Sequence, residues 1–128
     1  MKFKIGFDQN DKKKLFKYWD EIIQNNIWSE GKFTKEFEEK WSVHNELSTV
    51  SFSSWAGAAE AVLKFYNLEN KKILCPSNTF QATPMISKLN GSIVKFVDCN
   101  KEDLCISYKD LVLKVKKYKP KAVWVVHI

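Results

Sequence analysis

At 128 residues with 45% hydrophobic and 14% aromatic side chains, the chain carries enough apolar mass for one ordinary core, which predicts a single domain or part of one and argues against disorder. No run approaches the roughly 20 apolar residues that cross a bilayer, and the opening Met1-Lys2-Phe3-Lys4 lacks the apolar stretch of a secretory signal, so a cytoplasmic protein with no membrane partner is expected. The formal net charge of +6 invites a polyanion-binding reading, yet all 21 basic residues are lysine, and the arginine forks that clamp phosphate or read guanine edges are absent.

Taken in chain order, the segment from about Asp11 to Asn25 places Leu15, Phe16, Trp19, Ile22 and Ile23 at helical spacing. After a turn at Ser29-Glu30-Gly31, Thr34 can cap a second helix whose apolar face is Phe37 and Trp41, with Glu38 and Glu39 facing solvent. Leu47 to Phe52 reads as a short strand. It leads into Ser53-Ser54-Trp55-Ala56-Gly57, from which Ala58, Val62, Phe65 and Tyr66 repeat at helical spacing.

The same strand, turn and helix pattern returns with Lys72 to Cys75, Pro76-Ser77-Asn78, and a helix from about Thr79 to Leu89 that Asn90-Gly91 ends. Ile93 to Val97 is a further strand. Ser107 can cap a helix carrying Leu111, Val115 and Tyr118 inward and Lys114, Lys116, Lys117 and Lys119 mostly outward, and Lys121 to Val126 is a β-branched strand. Strands alternating with helices predict an α/β fold with a mainly parallel sheet. The last strand has no turn, helix or polar cap after it, so the sheet is expected to be incomplete, with an exposed edge and a tendency to aggregate.

Ligands of open α/β sheets sit beyond the carboxyl ends of the strands. Small residues from Ser53 to Ala59 at a helix start suit an anion, because free backbone N–H groups and the helix dipole converge there. The bland reading of that turn is an ordinary serine cap. Phe80 at the neighbouring strand end could lie flat on an aromatic ligand, or serve as core. His127 at a strand terminus could touch a ring or substrate, or be structural. Asp98, Glu102 and Asp103 read as a solvated turn, and no metal constellation is expected. Cys75, Cys99 and Cys105 show no C-x-x-C pairing; Cys75 and Cys99 are read as small strand-end hydrophobes. No nucleophile, base and orienting group can be assembled, so the residues alone point to a ligand-binding α/β unit.

A resemblance extends this. Gly31-Lys32-Phe33-Thr34 with Phe37-Glu38, Val50 to Ala58, Pro76-Ser77-Asn78-Thr79-Phe80-Gln81-Ala82-Thr83, Gly91, Phe96-Val97-Asp98 and Val126-His127 follow in order. In that order they resemble the motifs of the DegT/DnrJ/StrS sugar aminotransferases. That family consists of fold type I enzymes using pyridoxal 5'-phosphate. The resemblance implies that residues 1–128 are the N-terminal part of the large domain of an aspartate aminotransferase-like fold, with residues 1–45 a helical segment within it.

It also implies that Trp55, Ala56 and Gly57 occupy the phosphate-binding turn, that Phe80 stacks on the pyridine ring, and that Thr34 and His127 contact substrate. Trp55 and Ala56 stand where the family has Gly-Thr, which removes a side-chain hydroxyl and leaves the phosphate to N–H groups around Ala56 and Gly57. The family's ring-nitrogen aspartate and Schiff-base lysine map onto no residue of this chain, so it is expected to be inactive alone. The complete enzyme is implied to be a homodimer moving an amino group from an amino acid, typically glutamate, to a ketone on a nucleotide-linked sugar. Two alternatives remain: a non-catalytic relative with a degenerate site, and a basic α/β module binding a polyanion; no nucleic-acid partner is expected.

Overall fold

The computed structural model describes residues 6–127, and the opening Met1–Lys4 read above lies outside them, as does Ile128. The chain divides after Ser51 into two compact units. Among the described residues, no helix is long and apolar enough to cross a membrane.

In the first unit, helix α1 (Gln9–Asn25) begins earlier than the apolar spacing suggested, because Asp8 closes a capping box. Its carboxylate accepts the N–H groups of Asn10 at 2.7 Å and Asp11 at 2.8 Å, while Asp11 accepts the Asp8 N–H at 3.2 Å. Helix α2 (Lys32–Asn45) is capped at Gly31 and not by Thr34, which lies inside the first turn. Tyr18 and Phe33 meet with ring centroids 4.8 Å apart, and Lys32 pairs with Glu21. No described side chain of this unit is buried.

The strand expected over Leu47 to Phe52 does not form. A strand needs a neighbour for its backbone groups, and here α2 supplies side chains instead. Ser42 Oγ accepts the Thr49 N–H at 3.0 Å, and Glu38 Oε1 accepts both the N–H and the hydroxyl of Ser51 at 2.8 Å. Glu38 is therefore a half-buried staple with its carboxyl held below the usual range by those Ser51 hydrogen bonds, and not the solvated residue its helical position suggested.

The second unit runs α3 (Trp55–Phe65), β1 (Lys72–Pro76), α4 (Ala82–Leu89), β2 (Ile93–Val97), α5 (Tyr108–Tyr118) and β3 (Ala122–Val123). The sheet is wholly parallel in the order β2-β1-β3, with Lys72 opposite Ile93 and Ile73 opposite Ala122. Ile73, Leu74 and Cys75 of the central strand are fully buried, as expected where helices cover a parallel sheet.

The core gathers Leu63, Leu68 and Ile73, with Ile86, Ala122 and Trp124 packed against it. The inward face of α3 is Ala59 and Leu63, whereas Val62, Phe65 and Tyr66 are exposed, so the apolar stripe read from the sequence sits one position off.

Two prolines set the boundaries that the sequence reading misplaced. Pro76 ends the pairing of β1 with β3: the Trp124 N–H still donates to the Leu74 carbonyl at 2.9 Å, but the return bond to the Trp124 carbonyl would need an N–H that Pro76 lacks. The predicted Lys121–Val126 strand is thereby cut to Ala122–Val123. Pro84 confines the start of α4, because proline is tolerated only within a helix's first turn; the helix begins at Ala82, and Thr79 and Phe80 stay in the preceding loop.

At the far end of α4, Gly91 adopts φ 77°, and an added Cβ would stand 2.9 Å from the Glu69 Cγ, which explains the glycine there. Ser107 caps α5 as expected, accepting the Asp110 N–H at 3.5 Å. Lys114 is not outward: its ammonium pairs with Asp110 at 2.6 Å, and both side chains are mostly covered.

Candidate functional site

Three segments of the second unit converge on a cavity of about 720 Å³ beyond the carboxyl ends of β1 and β3. The first is the start of α3. Ser54 is extended, at φ −155° and ψ 157°, and its Oγ accepts the Gly57 N–H at 3.1 Å. The bland reading of this turn as a serine cap is therefore correct. It leaves the N–H groups of Trp55 and Ala56, the first two of the helix, without acceptors inside the helix. Ser54, Trp55 and Ala56 line the cavity, and Gly57 does not. The sequence reading placed the open donors around Ala56 and Gly57; they belong to Trp55 and Ala56, because the cap consumes the Gly57 donor.

The second segment is the loop before α4. Phe80 is 73% exposed and lines the cavity from that loop, not from one residue inside a helix. Behind it, Thr79 Oγ1 donates to Thr83 Oγ1 at 3.0 Å. The third segment follows β3: Trp124, Val125, Val126 and His127. Trp124 meets Trp55 with ring centroids 5.5 Å apart at 55°. Trp124 was not singled out from the sequence; a lone indole inside the β-branched run Ala122–Val126 was the available signal. Thr34 belongs to the first unit, half-buried in α2.

The adjoining strand end is a tied turn. Cys99 bridges to Ile106, and its sulfur accepts the Asn78 N–H at 3.3 Å and the Ser77 hydroxyl at 3.6 Å, so it is more than a strand-end hydrophobe. Asp103 Oδ1 accepts from Asn100 and Cys105. Asp110 has its carboxyl held below the usual range by Lys114 and by the Asp98 N–H, which donates to it at 2.8 Å. A second cavity, of about 520 Å³, lies between α3 and β3 with Lys71 and Lys121 among its lining; it includes no helix N-terminus.

The donor set suits one half of a pyridoxal phosphate molecule. Two open N–H groups, the Ser54 hydroxyl and the helix dipole fit a phosphate dianion, and the exposed face of Phe80 fits an aromatic ring. The lining holds no lysine and no carboxylate, so nothing in it can bond to an aldehyde or pair with a pyridinium.

Comparison with known proteins agrees with this architecture. The chain is similar to a DegT DnrJ EryC1 StrS aminotransferase from Brucella abortus, with 20% identity and a TM-score of 0.73, over 88% of this chain and 32% of that one. It is also similar to a putative PLP-dependent aminotransferase from Bacillus cereus ATCC 10987, with 21% identity and a TM-score of 0.72, over 84% of this chain and 31% of that one. The chain thus spans about a third of the length of these structures, and at such identities they show the fold alone. No curated protein matches. The sequence profile of the DegT/DnrJ/EryC1/StrS aminotransferase family matches residues 9–128, nearly the whole chain; the chain belongs to that family.

Proposed function

We propose that this chain supplies the phosphate-binding and ring-face side of the active site of a cytoplasmic pyridoxal phosphate-dependent aminotransferase. The complete homodimeric enzyme would pass an amino group from an amino acid, glutamate first among them, to a ketone on a nucleotide-linked sugar. One observation carries the reading: in a chain of this family, the open N–H groups of Trp55 and Ala56 and the exposed ring of Phe80 line a single cavity.

When bound, the cofactor supplies the electron sink for amino transfer. The chain's own residues bind and orient. The N–H groups of Trp55 and Ala56 and the Ser54 hydroxyl hold the phosphate, and their donors are fixed in place by the Ser54 cap. Phe80 covers one face of the ring, and Trp55 and Trp124 form the wall beside the phosphate. His127, part of the same lining, would meet substrate, and Thr34 would be a substrate contact by family resemblance. With no lysine in the lining, none of these residues can bond the cofactor's aldehyde, so the chain by itself gives no turnover.

The test is a titration of the chain with pyridoxine 5'-phosphate, the alcohol analogue that cannot react with lysine, followed by amide chemical shifts. Saturable shifts at Trp55, Ala56 and Phe80, reversed by excess inorganic phosphate, support the reading. Absence of binding at this cavity sinks it. The substrate class is tested separately on the product of the whole coding region, with a nucleotide-linked keto sugar and glutamate; failure of amino transfer to the sugar, with transfer to another ketone, removes the sugar assignment.

A further inference from the structure

We propose that Asn78 is a positioning residue for Phe80, acting through Cys99 and the Leu104 carbonyl; the inference rests on the cofactor reading of the cavity. Phe80 lies outside α4 and is 73% exposed, so little packing fixes its ring. A ring so placed can present a ready face only if its backbone is held.

The loop is held on both sides of Phe80. On one side the Ser77 N–H donates to the Val97 carbonyl at 2.8 Å, the Asn78 N–H to Cys99 Sγ at 3.3 Å, and Asn78 Nδ2 to the Leu104 carbonyl at 3.2 Å. On the other, the Phe80 carbonyl accepts the Thr83 N–H at 3.0 Å. Asn78 is thus tied by backbone and side chain to a different loop, Leu104 lying 26 positions further along the chain.

That receiving loop is itself braced. Cys99 pairs with Ile106, the Asn100 N–H donates to the Cys105 carbonyl at 2.9 Å, and Asp103 Oδ1 accepts the Cys105 N–H at 2.9 Å. Leu104, whose carbonyl Asn78 reaches, stands at φ 59°, a conformation that a leucine keeps only where its surroundings over-determine it. A flexible ring is therefore mounted on a stiff bracket. The two Asn78 hydrogen bonds are exposed and individually weak, and sulfur is a poor acceptor. The clamp's contribution is preorganisation: the ordering of Phe80 is settled before a ligand arrives.

The consequence separates ring from phosphate. Loss of the Asn78 clamp weakens binding of a ligand that needs the ring face and spares one that needs only the α3 N-terminus. Affinities of pyridoxine 5'-phosphate and of inorganic phosphate are measured by amide chemical shifts for the unaltered chain, Asn78→Ala, Phe80→Ala and the double variant. Asn78→Ala is expected to weaken pyridoxine 5'-phosphate about 3- to 10-fold, the cost of ordering one loop side chain, to leave inorganic phosphate unchanged, and to add nothing to Phe80→Ala. Cys99→Ala is expected to share that signature and Cys99→Ser, whose hydroxyl accepts the same N–H, to reverse it.

If Asn78→Ala and Cys99→Ala both weaken the two ligands in proportion, or weaken neither while the unaltered chain binds both, the clamp is only structural and the inference fails alone. If the unaltered chain binds no pyridoxine 5'-phosphate, the cofactor reading fails and takes the inference with it.

Discussion

The indole N–H of Trp124 donates to Ser87 Oγ at 2.8 Å, and the hydroxyl of Ser87, fully buried, donates in turn to the Thr83 carbonyl at 3.2 Å. This relay ties the segment after β3 to the interior of α4, so both cavity walls share one hydrogen-bond chain. In Ser87→Ala the Trp124 N–H loses its partner in a largely dry setting, which costs about 1–3 kcal/mol. Denaturant unfolding of the two proteins measures it. A difference smaller than about 0.5 kcal/mol, the size of an ordinary surface change, would show that water replaces the serine.

How much of this was legible in the sequence follows from where the determinants lie. The parallel α/β order, the Ser54 and Ser107 caps and the Asn90-Gly91 stop are written in local residue types, and the structure has all of them. The elements that were misplaced depend on partners distant in the chain. Leu47–Phe52 has strand-forming residues but finds α2 side chains instead of a strand; β3 is shortened by a proline on its neighbour. The site behaved likewise. Trp55, Ala56, Phe80 and His127 do line one cavity, but Trp124 entered only with the tertiary fold, and the diversion of the Gly57 N–H to its cap required the side-chain geometry.

Asp110 makes the stability of the second unit sensitive to acid. Its carboxyl is lowered first by Lys114 and then by the Asp98 N–H. A group whose folded value lies below its unfolded value of 3.8 contributes stability that is complete above that value and is lost as pH falls through the folded one. Asp110→Asn is expected to melt below the unaltered chain near neutral pH, with the gap narrowing as pH falls below 3.8. A gap of constant size across that range would mean that the charge plays no part.

Trp55 contributes two separable things to the proposed phosphate site, an indole and a backbone donor. Trp55→Ala removes the first and Trp55→Pro removes both. Proline is well suited to the first helical position, and Ser54, extended at φ −155° and ψ 157°, has the conformation that a residue before proline requires. Inorganic phosphate binding is expected to survive Trp55→Ala and to fall roughly tenfold in Trp55→Pro, the loss of one charge-assisted hydrogen bond. Equal affinities in the two variants, with both folded, would remove the Trp55 N–H from the site.

Cys75 is the thiol that the fold protects. Burial, and secondly the charge of Cys99, push it up to about 11 from 9.0, whereas Cys99 and Cys105 are half-buried. Since the thiolate is the reactive form, an aromatic disulfide reagent near neutral pH is expected to titrate Cys99 and Cys105 promptly and Cys75 only after denaturation. The same burial works against the fold in alkali: an acid whose folded value is raised contributes stability that is complete below its unfolded value, 9.0, and is lost as pH rises through about 11. Cys75→Ala should therefore lose less stability than the unaltered chain across that interval. Prompt reaction of all three thiols in the native chain would mean that β1 opens to solvent far more readily than its buried position allows.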